Sequence, residues 1–356
     1  MTRTRAAVTA ASIVAVGLLT CSACTGGGDA APSSAGSTSP SSTPAPTKST
    51  PKPKPEAKPM NPFTGLGPVP KRPTVSVKID DTAPGRPQVG INQADIVYVE
   101  AVEGGLTRLA AIFGTNHPKA VGYVRSTRPS DPDLLLQYGR ITAAYSGGAH
   151  DSLPRIHRSG IRSWSNDDGA RFYARRYRGA SSYINLVLNV AKVAAQVKTP
   201  PPHSIGWTFD RSLSGLPVRT GRTVRTEVTG SYDHGTPVVF HYSRKLDEYV
   251  RYIDGVRQMS SSGHPVTARN VIVQECRIVP HPKDTDVNGN PSQFTYTVGH
   301  GPAVVFRNGK RIDGTWHRRK LFEGTVWRTA NGQRIPLMPG NTWVILVRKG
   351  IPVFSH

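Results

Sequence analysis

From residue 25 to residue 60 the chain carries a single large apolar side chain, Met60, in a run dominated by Ser, Thr, Pro, Gly, Ala and Lys. Such a segment cannot bury enough surface to offset its chain entropy. Any packed core must therefore be built from residue 61 onward. The stretch "TPAPTKSTPKPKPEAKP" predicts a disordered, extended tether with a reach of at most about 100 Å at ~3.1 Å per residue. Its Ser/Thr/Pro run also offers acceptors for sugars.

What precedes the tether reads as an export signal. "MTRTR" is basic, and "AAVTAASIVAVGLLT" is an apolar run of 15 residues. A membrane span needs ~20 such residues, whereas the core of a secretory signal is shorter. "CSAC" follows, with small Ser22 and Ala23 before Cys24 in the manner of a lipobox, although Cys21 replaces the usual Leu. The expected layout is a lipoprotein signal peptide over 1–23, lipidation at Cys24, and a linker over 24–60. An ordinary cleaved signal is the alternative. Once the signal is removed, Cys276 is the one thiol besides the anchor, which leaves no disulfide. It alternates with apolar residues in "NVIVQECRIV" and reads as a buried strand residue.

The formal net charge is +22. Removing the six basic and two acidic residues of 1–60 leaves 39 basic against 21 acidic, a net +18 for the body. Inside a cell such a charge would suggest nucleic acid. For an exported, anchored body no nucleic acid is expected, and the partners become the membrane itself and anionic envelope polymers or proteins.

Within the body, "TVSVKID" alternates with period two and predicts a strand. "DIVYVEAVEGGLTRLAAIF" holds two apolar runs around Gly104-Gly105, a hairpin. "KAVGYVRS" and "ITAAYSGG" predict further strands. "PSDPDLLLQYG" predicts a helix with Ser130 or Asp131 as cap and Gly139 as stop. "HDSLPRIHRSG" predicts a short helix interrupted at Pro154. "SSYINLVLNVAKVAAQV" has apolar residues at 184, 187, 188, 191 and 194 and predicts a longer one. Strands mixed with helices imply an α/β domain, a mixed sheet with flanking helices, over 61–204. From 205 to 356 short Val/Tyr/Thr-rich runs alternate with turn signals, and Asn308-Gly309 and Asn331-Gly332 read as type I′ hairpin turns. That part is expected to be a β-rich domain.

The chemistry-bearing candidates gather at predicted strand ends. In "VGYVRSTRP", Arg125 and Arg128 flank Ser126 just before a helix start, where guanidinium forks and free N–H groups suit an anion. Pairing of these arginines with Glu100, Glu103 or Asp131 would instead lock the loop. Gly147 and Gly148 allow close approach of a ligand to backbone, and His150 stands where a general base could act. Glu100, Glu103 and Arg108 on the hairpin form either an acid/base set or a cross-strand ion pair. Ser126, His150 and Glu103 are the candidates for a hydrolase, but no G-x-S-x-G elbow surrounds the serine. Asp284–Gly289 match the first half of a calcium loop, yet Thr295 occupies the twelfth position, so a hairpin turn is expected and no metal. No P-loop, dinucleotide fingerprint or zinc motif is present, and the sequence calls for no cofactor.

"NPFTGL", "RPQVGINQADIVYVEAVEGGLTR", "VGYVRSTRP" and "SGG", then "YVRYIDGVRQ", "TARNVIVQ", "GPAVVFRNGKRIDGTW" and "MPGNTWVILV", resemble in order the YerB-like family of bacterial lipoproteins. The resemblance covers nearly all of 61–350. It implies an exported, lipid-anchored protein with an N-terminal domain of unknown function and a β-rich C-terminal domain. It supplies no reaction. It adds Asp95, Gly104 and Gly105 to the residues worth locating. Ala149 departs from a serine common in the family, and Ser146 from a histidine. The sequence thus leads to an envelope protein that binds an anionic component through Arg125, Arg128, Arg108, Glu100, Glu103, Asp95, Gly147 and Gly148. The alternatives are a hydrolase or transferase acting on a phosphoryl or acyl bond, and a purely structural lipoprotein.

Overall fold

The computed structural model describes residues 60–176 and 184–356. The expected signal peptide, the expected lipidation site Cys24 and nearly all of the expected tether lie outside the described residues. Glu56–His356 form one compact unit.

The first strand, β1 (Val75–Asp80), pairs antiparallel with β3 (Thr107–Phe113), which returns from β2 (Ile96–Ala101) through the Gly104-Gly105 turn. Both glycines have positive φ, 62° and 69°, which favours glycine at each. On its other edge β1 runs parallel to Thr142–Tyr145, which in turn runs parallel to Arg162–Ser165. The far edge of β2 takes up Thr342–Arg348 in parallel, with Ile96 opposite Thr342 and Val99 opposite Ile345. Beyond it follow Asn270–Cys276, Gly299–Arg307, Lys310–Arg318 and Val326–Arg328. With Val218–Thr220 paired to Lys310–Arg318 off this path, one mixed sheet of eleven strands runs without a break from the helix-bearing half into the β-rich half.

The two faces of this sheet are covered differently. Three short helices, α1 (Asp131–Leu135), α2 (Ser152–Arg158) and α3 (Val190–Gln196), belong to the N-terminal half. Beside α1, the hydroxyls of Tyr98 on β2 and Tyr138 lie 2.6 Å apart within the core. The opposite face is covered by a second, five-stranded sheet built around Thr223–Val228, Thr236–Ser243 and Glu248–Ile253. There the Phe240 ring stands edge-on to Trp343 with centroids 5.6 Å apart. Few helices, a mixed sheet and a β-rich C-terminal part match the fold class expected from the sequence.

Three local expectations are corrected. The helix expected over 181–197 is a buried strand, Leu186–Leu188, followed by α3; the part over 181–183 lies outside the described residues. Asn189 separates the two because its side chain accepts from Lys192 N at 3.0 Å and so starts the helix. Pro154 does not break α2, because it falls in the first turn, where its missing N–H has no helical partner to lose. At Asn308-Gly309 both residues have positive φ, as a type I′ turn requires, whereas at Asn331-Gly332 only the glycine does.

Asp81, directly after β1, is clamped by Arg251 of the second sheet through two hydrogen bonds of 2.8 and 2.7 Å, with both side chains fully buried. Thr107 Oγ1 donates to the same carboxylate at 2.8 Å. Burial disfavours ionisation of Asp81, but Arg251 outweighs it and holds the carboxyl below the usual range. Removing one member of a buried pair leaves an uncompensated charge at a cost of roughly 3–5 kcal/mol. Asp81→Asn is therefore expected to lower the urea midpoint by that equivalent with an unchanged slope, while a loss below ~1 kcal/mol would show the clamp to be dispensable.

Candidate functional site

Successive residues of a strand point to opposite faces, so Asp80 faces away from its neighbour Asp81. Asp80, Arg108 and Glu100 stand opposite one another in register across β1, β3 and β2. Lys78 lies two residues before Asp80 on the same face. A row of charges thus crosses the sheet where β1 and β2 end. It resolves into two groups.

The inner group is closed. Lys78 Nζ donates to Glu100 and, at 2.6 Å, to Asp131 Oδ1 of α1, and all three side chains are buried. The second oxygen of Asp131 accepts from Thr127 Oγ1 and Arg128 N, each at 2.8 Å. The anion at the helix start is therefore the protein's own carboxylate. The sequence-based expectation of free N–H groups there is corrected: Ser130 and Asp131 are buried, and α1 is a single short helix.

The outer group is open. Arg125 Nε lies 3.1 Å from Asp80 Oδ2, and Arg108 approaches the same oxygen at 3.7 Å. Arg128 pairs with Glu103, which also accepts from Ser292 Oγ of the C-terminal half. These three arginines line one cleft of about 580 Å³, with Ser126, Gly148, Glu103, Val102 and Leu106 from the N-terminal half and Thr285–Asn288 from the C-terminal half. Of the two readings left open for these arginines, an anion site or internal pairing, the internal pairing is present: Arg128 takes Glu103, one of the acids named, and Arg125 takes Asp80, which was not. Each is ion-paired, Arg128 is nearly buried, and Arg125 keeps 31 % of its side chain exposed. Arg108 is buried as well, and its Nε and that of Arg128 have no hydrogen-bond acceptor. Burial pulls the Arg108 guanidinium down to about 10, with repulsion from Arg125 and Arg128 acting in the same direction and Asp80 against it.

The glycines are placed by close contacts. Gly147, at φ 70°, accepts from Thr127 N through its carbonyl at 3.0 Å, and a Cβ there would meet Asp167 at 2.8 Å. A Cβ on Gly105 would strike the His234 carbonyl at 2.6 Å, so the hairpin turn fits against the C-terminal half only as glycine.

Several candidates do not come together. Asp95 sits at the opposite end of β2, where it accepts from Gly114 N and Thr115 N at 2.7 and 2.8 Å. Glu100 is in the interior with Lys78. His150 is exposed and does not line the cleft, and no hydrogen bond joins Ser126 Oγ to His150 or Glu103. The proposed serine hydrolase set is not assembled. Asp284 is buried and accepts from Ser152, while Asp286 caps its own turn through Asn288 N and Asn290 N at 2.9 Å each, so the two carboxylates of the calcium-like stretch do not converge. Among the described residues no group of three His, Cys, Asp or Glu side chains converges as a metal site would need. Cys276 is buried in a strand, as expected, and burial pushes its thiol up to about 12.

Sequence reasoning missed Asp80, Asp81 and Lys78, the residues around which the arginines and acids are arranged. A signal was present: "VKIDD" places a lysine and two acids at the end of an otherwise apolar strand in a strongly basic chain.

Burial pushes Glu100 up from its usual 4.5 to about 7, against the pull of Lys78 and with the push of Asp131. A carboxyl raised in the folded state binds its proton more tightly there, so its contribution is complete below 4.5 and lost as pH rises to 7. Relative to Glu100→Gln, the natural protein is expected to lose up to ~3 kcal/mol of unfolding free energy between pH 5 and pH 8. Parallel stability curves for the two proteins would show that Glu100 does not titrate in this window.

Residues 63–202 match the family described as "Protein of unknown function (DUF3048) N-terminal domain", and residues 228–344 match its C-terminal domain. Among curated proteins the chain is similar to "Putative lipoprotein YerB" of Bacillus subtilis (strain 168), with 27 % identity over 304 residues, covering 80 % of this chain and 85 % of that protein. The fold is that of the crystal structure of YerB protein from Bacillus subtilis, with a TM-score of 0.67 and 23 % identity over 84 % of this chain and all of the other. The eleven-stranded sheet, the paired domains and the lipoprotein relative agree: this chain belongs to the YerB-like family.

Proposed function

We propose that this is an envelope lipoprotein that captures an anionic component of the envelope in the arginine-lined cleft. The observation that carries the reading is the convergence of Arg108, Arg125 and Arg128 on one open recess, where Arg125 keeps 31 % of its side chain exposed. Two carboxylates, Asp80 and Glu103, pair with these three guanidinium groups. Asp286 on the rim is engaged by its own turn. A bound oxyanion would relieve the mutual repulsion of the arginines. Bidentate guanidinium contacts suit phosphate and carboxylate alike.

The carboxyl ends of strands are where ligands bind in sheets with parallel members, and the cleft opens where β1 and β2 end. In this reading the amino-terminal segment anchors the body to the outer face of the cell membrane through acylated Cys24, and a Pro/Lys-rich tether lets it reach its ligand. The net +18 of the body draws anionic wall polymer, glycolipid or partner protein toward it, while the cleft selects.

The test is equilibrium binding of inorganic polyphosphate, a phosphate-chain probe, to Glu56–His356 as salt is raised. Arg125→Ala is expected to weaken binding about ten-fold and to reduce its salt dependence. Arg125 is the suitable position because its side chain is the most exposed of the three and Asp80 keeps Arg108 as a partner when it is truncated. Equal affinity of the variant and the natural protein at every salt concentration would remove the cleft from the binding reaction.

A further inference from the structure

The lining of the cleft is mixed in chemistry. Arg108 and Arg128 are buried charged members of the lining, while Leu106 of the N-terminal half and Val287 of the C-terminal half are exposed apolar ones. Leu106 is 44 % exposed and Val287 fully exposed. Single exposed apolar residues are ordinary on a protein surface. Here two of them border the same charged recess, and Val287 occupies a tight turn between Asp286 and Asn288 where polar residues are usual. The volume of about 580 Å³ holds roughly twenty waters and falls within the range of pockets for ligands of drug size, well beyond a bare phosphate.

We infer that the ligand is an amphiphile: an oxyanion headgroup seated on the arginines, with an aliphatic chain leaving between Leu106 and Val287. This rests on the anion-binding reading above and adds the ligand class. The headgroup meets the guanidinium cluster, with Arg125 the most exposed of the three. The first methylenes of the chain cover Leu106 and Val287, which otherwise face water. The amphiphile's apolar part needs no deep tunnel, because these two residues lie at the surface.

The inference is tested by calorimetric titration of Glu56–His356 with three probes: methyl phosphate, octyl phosphate below its micelle concentration, and octyl glucoside. Covering about two methylenes at ~0.8 kcal/mol each predicts that octyl phosphate binds about ten-fold or more tightly than methyl phosphate. Leu106→Ser with Val287→Ser, both exposed positions, is expected to bring that ratio below about three-fold and leave methyl phosphate unchanged. Arg125→Ala is expected to weaken both phosphates. Equal binding of the two phosphates by the natural protein would overturn the amphiphile and leave the anion reading standing. Octyl glucoside binding as tightly as octyl phosphate, or absence of binding by either phosphate, would overturn both.

Discussion

Two consecutive aspartates at the end of β1 organise this molecule. Because an extended chain alternates its side chains, Asp80 and Asp81 point to opposite faces of the same sheet. Asp81 meets Arg251 and ties the central sheet to the second sheet. Asp80 meets Arg108 and Arg125 and holds them at the edge of the cleft. Isolated charges at such depth would be prohibitively costly. Each is tolerated because its partners arrive in register: Arg108 lies directly opposite Asp80 on β3, and Arg251 reaches Asp81 as a two-pronged fork. Such pairs add little net stability compared with apolar packing, but they penalise any arrangement in which one member is missing.

The same logic explains why the cleft needs both halves of the chain. Glu103, on the turn of the β2–β3 hairpin, is held by Arg128 from one side and by Ser292 from the other. The opposite rim is the turn at 285–288, which belongs to the C-terminal half. Thr236 Oγ1 donates to the Gly105 carbonyl at 3.1 Å, and Gly105 leaves no room for a side chain beneath His234. The continuous sheet, through the pairing of β2 with Thr342–Arg348, sets the spacing of these parts. A recess assembled this way owes its geometry to packing across the two halves rather than to one local motif.

Much of the fold was legible because its signals are local. The hairpin around Gly104-Gly105, the type I′ turn at Asn308-Gly309 and the buried strand at Cys276 follow from period, turn chemistry and apolar alternation. The reading failed where a local pattern had two solutions. "INLVLNVAKVAAQV" fits a helical stripe, yet "LVL" supplies a central strand once Val121–Gly122 is available to pair with Leu188 and Val187. The site was half legible. The arginines and the glycines were identified, but their partners were not, since Asp80 and Asp81 read as the end of a strand and Asp95 and Glu100 read as ligands.

By itself the sequence determined that residues 25–60 carry too few large apolar side chains to supply a core, that the body is strongly basic and rich in strands, and that arginines cluster near a strand end. These are properties of composition and of neighbours along the chain. Only the tertiary structure decided which charges cancel and which remain available. Lys78, Glu100 and Asp131 close on one another beneath the sheet, while Arg108, Arg125 and Arg128 share an open cleft with Glu103. That division depends on strand register and on contacts between residues up to about 190 positions apart, such as Ser292 with Glu103. Long-range pairing of that kind leaves no periodic trace in the chain, because it arises only when separate strands meet.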